Sequence, residues 1–351
     1  MSCLDKKRNL WQIGAGSARV MSLLLSMALC VPALAVGLAL RRPATEAIDY
    51  EIVRRSAGRG AAGPRVVFVG GNPGIARYYD AAACLLAEEL DADVAILGLR
   101  GFFEGRGRPW GWWMDAARWC GGRARGCFSV DAQIENAEAL LKHEHARCLE
   151  EGRRLAVVGH SIGGYFMLHA LARSGLSAEA ATVAVQPYLQ NDVSSDEFRS
   201  LRDLLERPWA PLLLIAAAAF AAALGVLPRW FKRPVLRMLG QLEGMDRVHE
   251  DMTADCMVTF GNVFTMAALG RTEMRTLAAD FPPELLPDVL LVCDEPRDKW
   301  SPAFGPLVDA ARARGVDVQV LSGVPHAFGT QPRSREVVVG RVATALRGRL
   351  K

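Results

Sequence analysis

Short, almost wholly apolar runs recur along this chain. Longer stretches with apolar residues at helical spacing separate them. The runs lie at 65–69, 93–99, 155–158, 181–185, 287–293 and 317–321. Runs of this length without alternation suit strands buried on both faces. Residues 50–54 read as a further, first strand, and the Gly/Ala-rich stretch 56–64 as the turn after it. Residues 78–90, 131–150, 163–174 and 306–314 have the pattern of helices. Strand and helix alternate, which predicts an α/β class protein with a mostly parallel sheet covered on both faces.

Two stretches break this rhythm. Residues 20–40 are 21 positions without a charge, with Lys6, Lys7, Arg8 and Arg19 before them and Arg41 and Arg42 after. That length can span a bilayer. Ala33-Leu34-Ala35 keeps a cleaved signal peptide open, but the apolar core is long for one. The reading preferred is an uncleaved anchor or a monotopic insertion, with no orientation set by the flanking charges. Residues 209–227 are a second uncharged stretch of 19, between Arg207 and the basic group Arg229, Lys232 and Arg233. A buried helix of a cap is one reading. Membrane or droplet insertion is preferred, because Pro208, Pro211 and Pro228 bracket the segment and Trp209, Trp230 and Phe231 suit an interface. The domain division expected is therefore 1–45 as a hydrophobic membrane segment, 46–186 and 281–351 as two parts of one core, and 187–280 as a cap insertion.

The chemistry concentrates in Gly159-His160-Ser161-Ile162-Gly163. An apolar strand precedes it and a helix follows, the context that makes G-x-S-x-G a nucleophile elbow. The glycines keep side chains out of the crowded turn, and the helix start directs free N–H groups at the reacting centre. A serine needs a base, and the base an acid to orient it. Six histidines are available. His143 and His145 fall on a charged helix face, His160 lies inside the elbow, His169 on the elbow helix, and His249 has no positional argument. His326 follows the last strand and is the candidate base. Asp294, Glu295 and Asp298 follow the strand before it. Asp298 heads an Asp-x-Trp-x-Pro turn and is the preferred acid, with Asp294 next. The oxyanion donors should be the N–H of Ile162 and, from Gly70-Gly71-Asn72-Pro73-Gly74, that of Asn72, since Pro73 has none.

These residues carry a likeness. Gly71-Asn72-Pro73-Gly74 with Tyr78-Tyr79, then Phe128-Ser129-Val130-Asp131-Ala132-Gln133-Ile134-Glu135, the elbow, Asp298-Lys299-Trp300-Ser301-Pro302 and Pro325-His326-Ala327-Phe328 stand in order over roughly 64–330. The chain resembles the lipid droplet-associated hydrolases, a branch of the α/β-hydrolase superfamily. The resemblance implies a nucleophile at Ser161, an acid at Asp298 and a base at His326. It also implies sterol esters or acylglycerols as substrates, and residence on lipid droplets and the endoplasmic reticulum membrane with a cytosolic catalytic core. The chain departs from the family in its hydrophobic opening and in the long Arg/Gly-rich stretch 100–127 with Trp110, Trp112, Trp113 and Trp119.

The remaining composition narrows partners more than it adds. A net charge of +4 over 351 residues, with no basic run interleaved with aromatics, argues against nucleic acid. Eight cysteines form no C-x-x-C or zinc spacing, so neither metal nor cofactor is expected. Cys84 and Cys293 read as buried thiols on a reducing side, with a Cys120–Cys127 disulfide left open. The tryptophans of 100–127 suit either lipid headgroups or a partly buried cluster. The reading that results is a serine ester hydrolase acting on lipid esters at a droplet or membrane surface. Its rivals are a non-catalytic droplet coat on a hydrolase fold and a haloperoxidase- or thioesterase-like enzyme for small molecules.

Overall fold

The computed structural model describes residues 52–56, 63–103, 110–120, 126–191, 196–277, 281–293 and 305–350. Among these residues seven strands form one sheet: β1 (Ile52–Ser56), β2 (Arg65–Val69), β3 (Asp93–Leu97), β4 (Leu155–His160), β5 (Ala180–Val185), β6 (Val289–Cys293) and β7 (Asp317–Leu321). Their order is β1-β3-β2-β4-β5-β6-β7. Only β1 runs antiparallel to its neighbour. It pairs with β3, not with β2, which follows it in the chain. The strands β2, β4, β5 and β6 are buried throughout, which is why they read as continuous apolar runs. The edge strand β7 is largely exposed or half-buried, and its Asp317 and Gln319 belong there.

The crossovers supply the covering layers. Helix α1 (Asp80–Leu90) follows β2, α2 (Trp110–Cys120) and α3 (Val130–Glu151) follow β3, and α4 (Ile162–Ser174) follows β4. The chain moves to opposite sides of β2 in going from β2 to β3 and from β3 to β4, so right-handed crossovers put α1 and α3 on opposite faces. Helix α3 is capped by the Ser129 hydroxyl, which accepts from the Ala132 N–H at 3.0 Å. Between β5 and β6 lie α5 (Asp196–Glu206), α6 (Ala210–Gly225), α7 (Arg229–Met238), α8 (Arg247–Met252) and α9 (Phe260–Thr276). Helices α10 (Pro306–Ala313) and α11 (Pro332–Arg349) complete the chain, and α11 packs with α1. The fold is that of the α/β-hydrolases.

Within the stretch 100–127, residues 110–120 form helix α2. Trp112 and Trp119 of α2 are buried against Phe128 and Phe264, joined by Leu214 and Ala218 of α6. Trp112 donates to the Thr265 hydroxyl at 3.0 Å. Apolar ring area outweighs the interfacial preference of tryptophan once a partner helix is present, so these two rings are core and touch no headgroups. Trp113 is half-buried and stacks on Phe260. Cys120 and Cys127 are not joined by a disulfide.

The uncharged stretch 209–227 packs against the fold along one stripe. Its helix α6 buries Ala210, Leu214, Ala218, Ala221 and Leu224, one stripe at helical spacing, and packs on α9. That stripe is covered by protein. The other side of α6 is half-buried, and the exposed apolar side chains stand near its ends: Leu212, Val226 and Trp230 are 69%, 72% and 75% exposed. Among the described residues no single helix is long and apolar enough to cross a membrane, although α5 with α6 forms a bent pair that passes by length and composition. The anchor expected at 20–40 lies outside the described residues.

Phe264 is the centre of the contact between α9, α2 and α6. Phe264→Ala should cost about 3–5 kcal/mol of stability. Thermal and urea unfolding of the two proteins measures it, and a loss under about 1 kcal/mol would show that the cluster is not packed as a core.

Candidate active site

Strand β4 ends at His160 and helix α4 begins at Ile162, so Ser161 alone makes the turn. Its backbone sits at φ 55°, ψ −131°, a conformation costing a non-glycine residue roughly 1–3 kcal/mol. The surroundings enforce it. The Ser161 N–H donates to the Val185 carbonyl at 3.1 Å, and its own carbonyl accepts from Gly164 at 3.0 Å. A Cβ on Gly163 would stand 2.4 Å from the carbonyl oxygens of Val69 and Gly70. Only glycine lets the helix start approach the β2 exit that closely.

Ser161 is nearly buried. Its Oγ lies 2.9 Å from Nε2 of His326, a residue 165 positions away in the loop after β7. That loop is tied down on several sides. His160 Nε2 meets the His326 carbonyl at 2.9 Å. Gln186, at the exit of β5, donates to the Val324 carbonyl at 3.1 Å, and the Cys293 thiol donates to the same oxygen. The preferred acid, Asp298, lies outside the described residues, as do Asp294 and Glu295.

On the other side of Ser161 runs the loop from β2. A Cβ on Gly71 would stand 2.8 Å from the Ser161 Cβ, so the backbone entering Asn72 passes directly beside the serine. Among the described residues, neither the Asn72 N–H nor the Ile162 N–H has an acceptor in the fold. The Asn72 side chain does something the sequence did not announce. Its Nδ2 donates to the Met266 carbonyl at 3.0 Å and reaches Glu273 Oε1 at 3.4 Å, tying the loop to α9.

Glu273 is 5% exposed. Burial pushes its carboxyl up to about 8, opposed only by the Asn72 contact. It also raises the nearby Tyr188 phenol. Burial therefore favours the neutral form of Glu273 beside the site. Tyr79, which the family likeness included without a role, bears on the site, as do Gln186 and Glu273, whose sequence context carried no signal because each meets partners far away in the chain. The remaining histidines take structural places. His249 bonds to Asp246 at 2.7 Å. His169 is half-buried against Tyr165 and Phe281, and burial lowers its basicity. His143 is exposed, whereas His145 is largely covered and pairs with Glu179. Among the described residues no group of three or more His, Cys, Asp or Glu side chains is arranged to hold a metal ion.

The sequence model of the family described as lipid-droplet associated hydrolase matches residues 62–329. No curated protein sequence matches the chain. Solved structures share the fold. An esterase from Thermogutta terrifontis is 16% identical, covers 86% of this chain and 94% of its own, and superposes with a TM-score of 0.52. A soluble variant of monoglyceride lipase from Saccharomyces cerevisiae is 11% identical, with coverage of 88% and 96% and a TM-score of 0.52. A bromoperoxidase from Bacillus anthracis is 14% identical, with coverage of 85% and 96% and a TM-score of 0.51. At these identities the likeness is one of fold, and the neighbours carry different chemistries.

Glu273 sets a pH prediction. Its folded value lies above that of the unfolded chain, so the stability it supports is complete at low pH and is lost as pH rises through about 8. Unfolding free energy should decline between pH 5 and pH 9. Glu273→Gln should flatten that decline and be the more stable protein at pH 9. Parallel pH profiles for the two would mean the carboxyl is not held neutral.

Proposed function

This chain belongs to the lipid-droplet associated hydrolase family, and we propose that it is a serine ester hydrolase acting on lipid esters, sterol esters or acylglycerols, at a droplet or membrane surface. The single observation that supports this best is the 2.9 Å approach of Ser161 Oγ to His326 Nε2 on a turn strained to present that oxygen.

In the proposed reaction His326 Nε2 takes the Ser161 proton as Oγ attacks the ester carbonyl carbon. The carbonyl oxygen becomes an oxyanion, which the N–H groups of Asn72 and Ile162 stabilise, aided by the start of α4. The carbonyl re-forms, the ester C–O bond breaks, and the alcohol leaves with the proton held by His326. Water then attacks the acyl-serine, giving its proton to His326, and Ser161 is released with that proton as the fatty acid departs. Asp298 is the proposed partner of His326 Nδ1, which would hold the ring in the tautomer that leaves Nε2 free to accept.

The proposed surface contact is at the ends of α6 and the start of α7. Trp209, Leu212, Val226, Leu227, Trp230 and Phe231 are all exposed there. The nearby cations are partly neutralised, Arg229 by Asp255 and Arg233 by Asp251. An apolar patch with aromatic members suits the boundary between water and lipid. Residence at the endoplasmic reticulum membrane, with the core on the cytosolic side, is part of the same proposal.

Labelling with a fluorophosphonate probe tests the chemistry. Ser161→Ala should abolish labelling in a folded protein, and undiminished labelling would overturn the assignment. Turnover of emulsified and soluble esters by folded protein tests the class, and no turnover of either would favour the coat-protein reading. Leu212→Asp with Trp230→Asp tests the surface. Hydrolysis of an emulsified acylglycerol should fall about tenfold while a soluble ester of the same acyl group stays within about twofold. Equal loss on both would assign the patch a structural role.

A further inference from the structure

Tyr79 and His160 form a hydrogen-bonded bridge between the two loops that flank Ser161, and its direction follows from elementary chemistry. The His326 carbonyl can only accept, so His160 Nε2, 2.9 Å away, carries a proton. A neutral imidazole then presents a lone pair at Nδ1. That atom faces the Tyr79 Oη at 2.7 Å, so the phenol donates to it. The Tyr79 oxygen in turn accepts the Gly71 N–H at 2.9 Å. The result is one chain of donors running Gly71 N–H to Tyr79 O–H to His160 to the His326 carbonyl. A second proton on His160 would turn Nδ1 into a donor and leave the phenol proton without its acceptor. Tyr79 and His160 are 6% and 5% exposed, so water does not readily substitute. Burial also holds the Tyr79 phenol well above its ordinary range, which keeps it a donor.

The two ends of this bridge matter. Gly71 is the residue before Asn72, beside the place where charge would develop. The His326 backbone carries the imidazole that faces Ser161. We propose that Tyr79 and His160 are positioning residues that hold the oxyanion loop and the base in fixed register across the nucleophile. This rests on the reading of Ser161 and His326 as the reacting pair. Misplacement by about 1 Å costs on the order of 100-fold in rate, so a link spanning both loops acts on kcat more than on binding. Ring contacts support the register, with His160 edge-on to Phe328 at 5.0 Å and Phe68 against Tyr79 at 4.9 Å.

The test uses the full chain, a soluble p-nitrophenyl ester and the melting temperature of every variant. Tyr79→Phe should lower kcat about 10- to 100-fold and change KM by no more than about twofold. His160→Gln places an amide N–H where Nε2 stood, and His160→Asn cannot reach that position. The glutamine variant should therefore retain at least about fivefold more kcat than the asparagine variant, and adding Tyr79→Phe to it should cost little more. Equal kcat in the glutamine and asparagine variants, or a folded Tyr79→Phe with wild-type kcat, would overturn the bridge. If Tyr79→Phe does not fold, the two histidine variants decide by themselves. Fluorophosphonate labelling of Ser161→Ala is run alongside: retained labelling defeats the reading of the reacting pair, whereas lost labelling with an unaffected Tyr79→Phe defeats only the bridge.

Discussion

The Ser161 N–H donates to the Val185 carbonyl at 3.1 Å while its φ stands at 55°. The site depends on that one forced backbone position. The side chain projects only because the chain turns there within a single residue. The turn persists only because β2, β4 and β5 end in step, with Val69 opposite Gly159 and His160 opposite Val185. A sheet slipped by one residue would exchange the two faces of a strand and misplace the turn. The strain, of order 1–3 kcal/mol, is carried by the apolar strands on either side.

The layer between β5 and β6 is joined to this centre by helix α9, which is buried on nearly every side. Phe264 and Ala268 face the aromatic cluster with Trp112 and Trp119. Met266, Gly270 and Glu273, spaced as one helical stripe, lie against Asn72. The same helix thus meets an apolar core on one side and the loop beside the nucleophile on another. The polar pair has few alternatives, since a buried amide that loses its carbonyl partner costs more than the bond itself contributes.

Much of this protein was legible in its residues. Apolar runs with no alternation marked the central strands, because strands buried on both faces carry no polar side. Gly159 and Gly163 marked the elbow because the turn excludes any Cβ. His326 could be picked by its place after the last strand, and the structure brings it to Ser161. The strand–helix alternation determined the fold class. These features share one property: each leaves its mark in the local composition and spacing of the chain, wherever its partners lie.

What only the tertiary structure decided involves partners distant in the chain. Nothing in the run of Trp110 to Trp119 distinguishes rings on a membrane from rings in a core; α6 and α9 decide it by covering Trp112 and Trp119. The uncharged stretch 209–227 is as apolar on its half-buried face as on its buried one, so its composition holds no record of which side meets α9. Tyr79, His160, Gln186 and Glu273 acquire their roles from groups between 81 and 201 residues away. A hydrogen bond between such groups leaves no periodicity in the chain. Its existence depends on where the sheet sets down each loop, and that is a property of the packed structure alone.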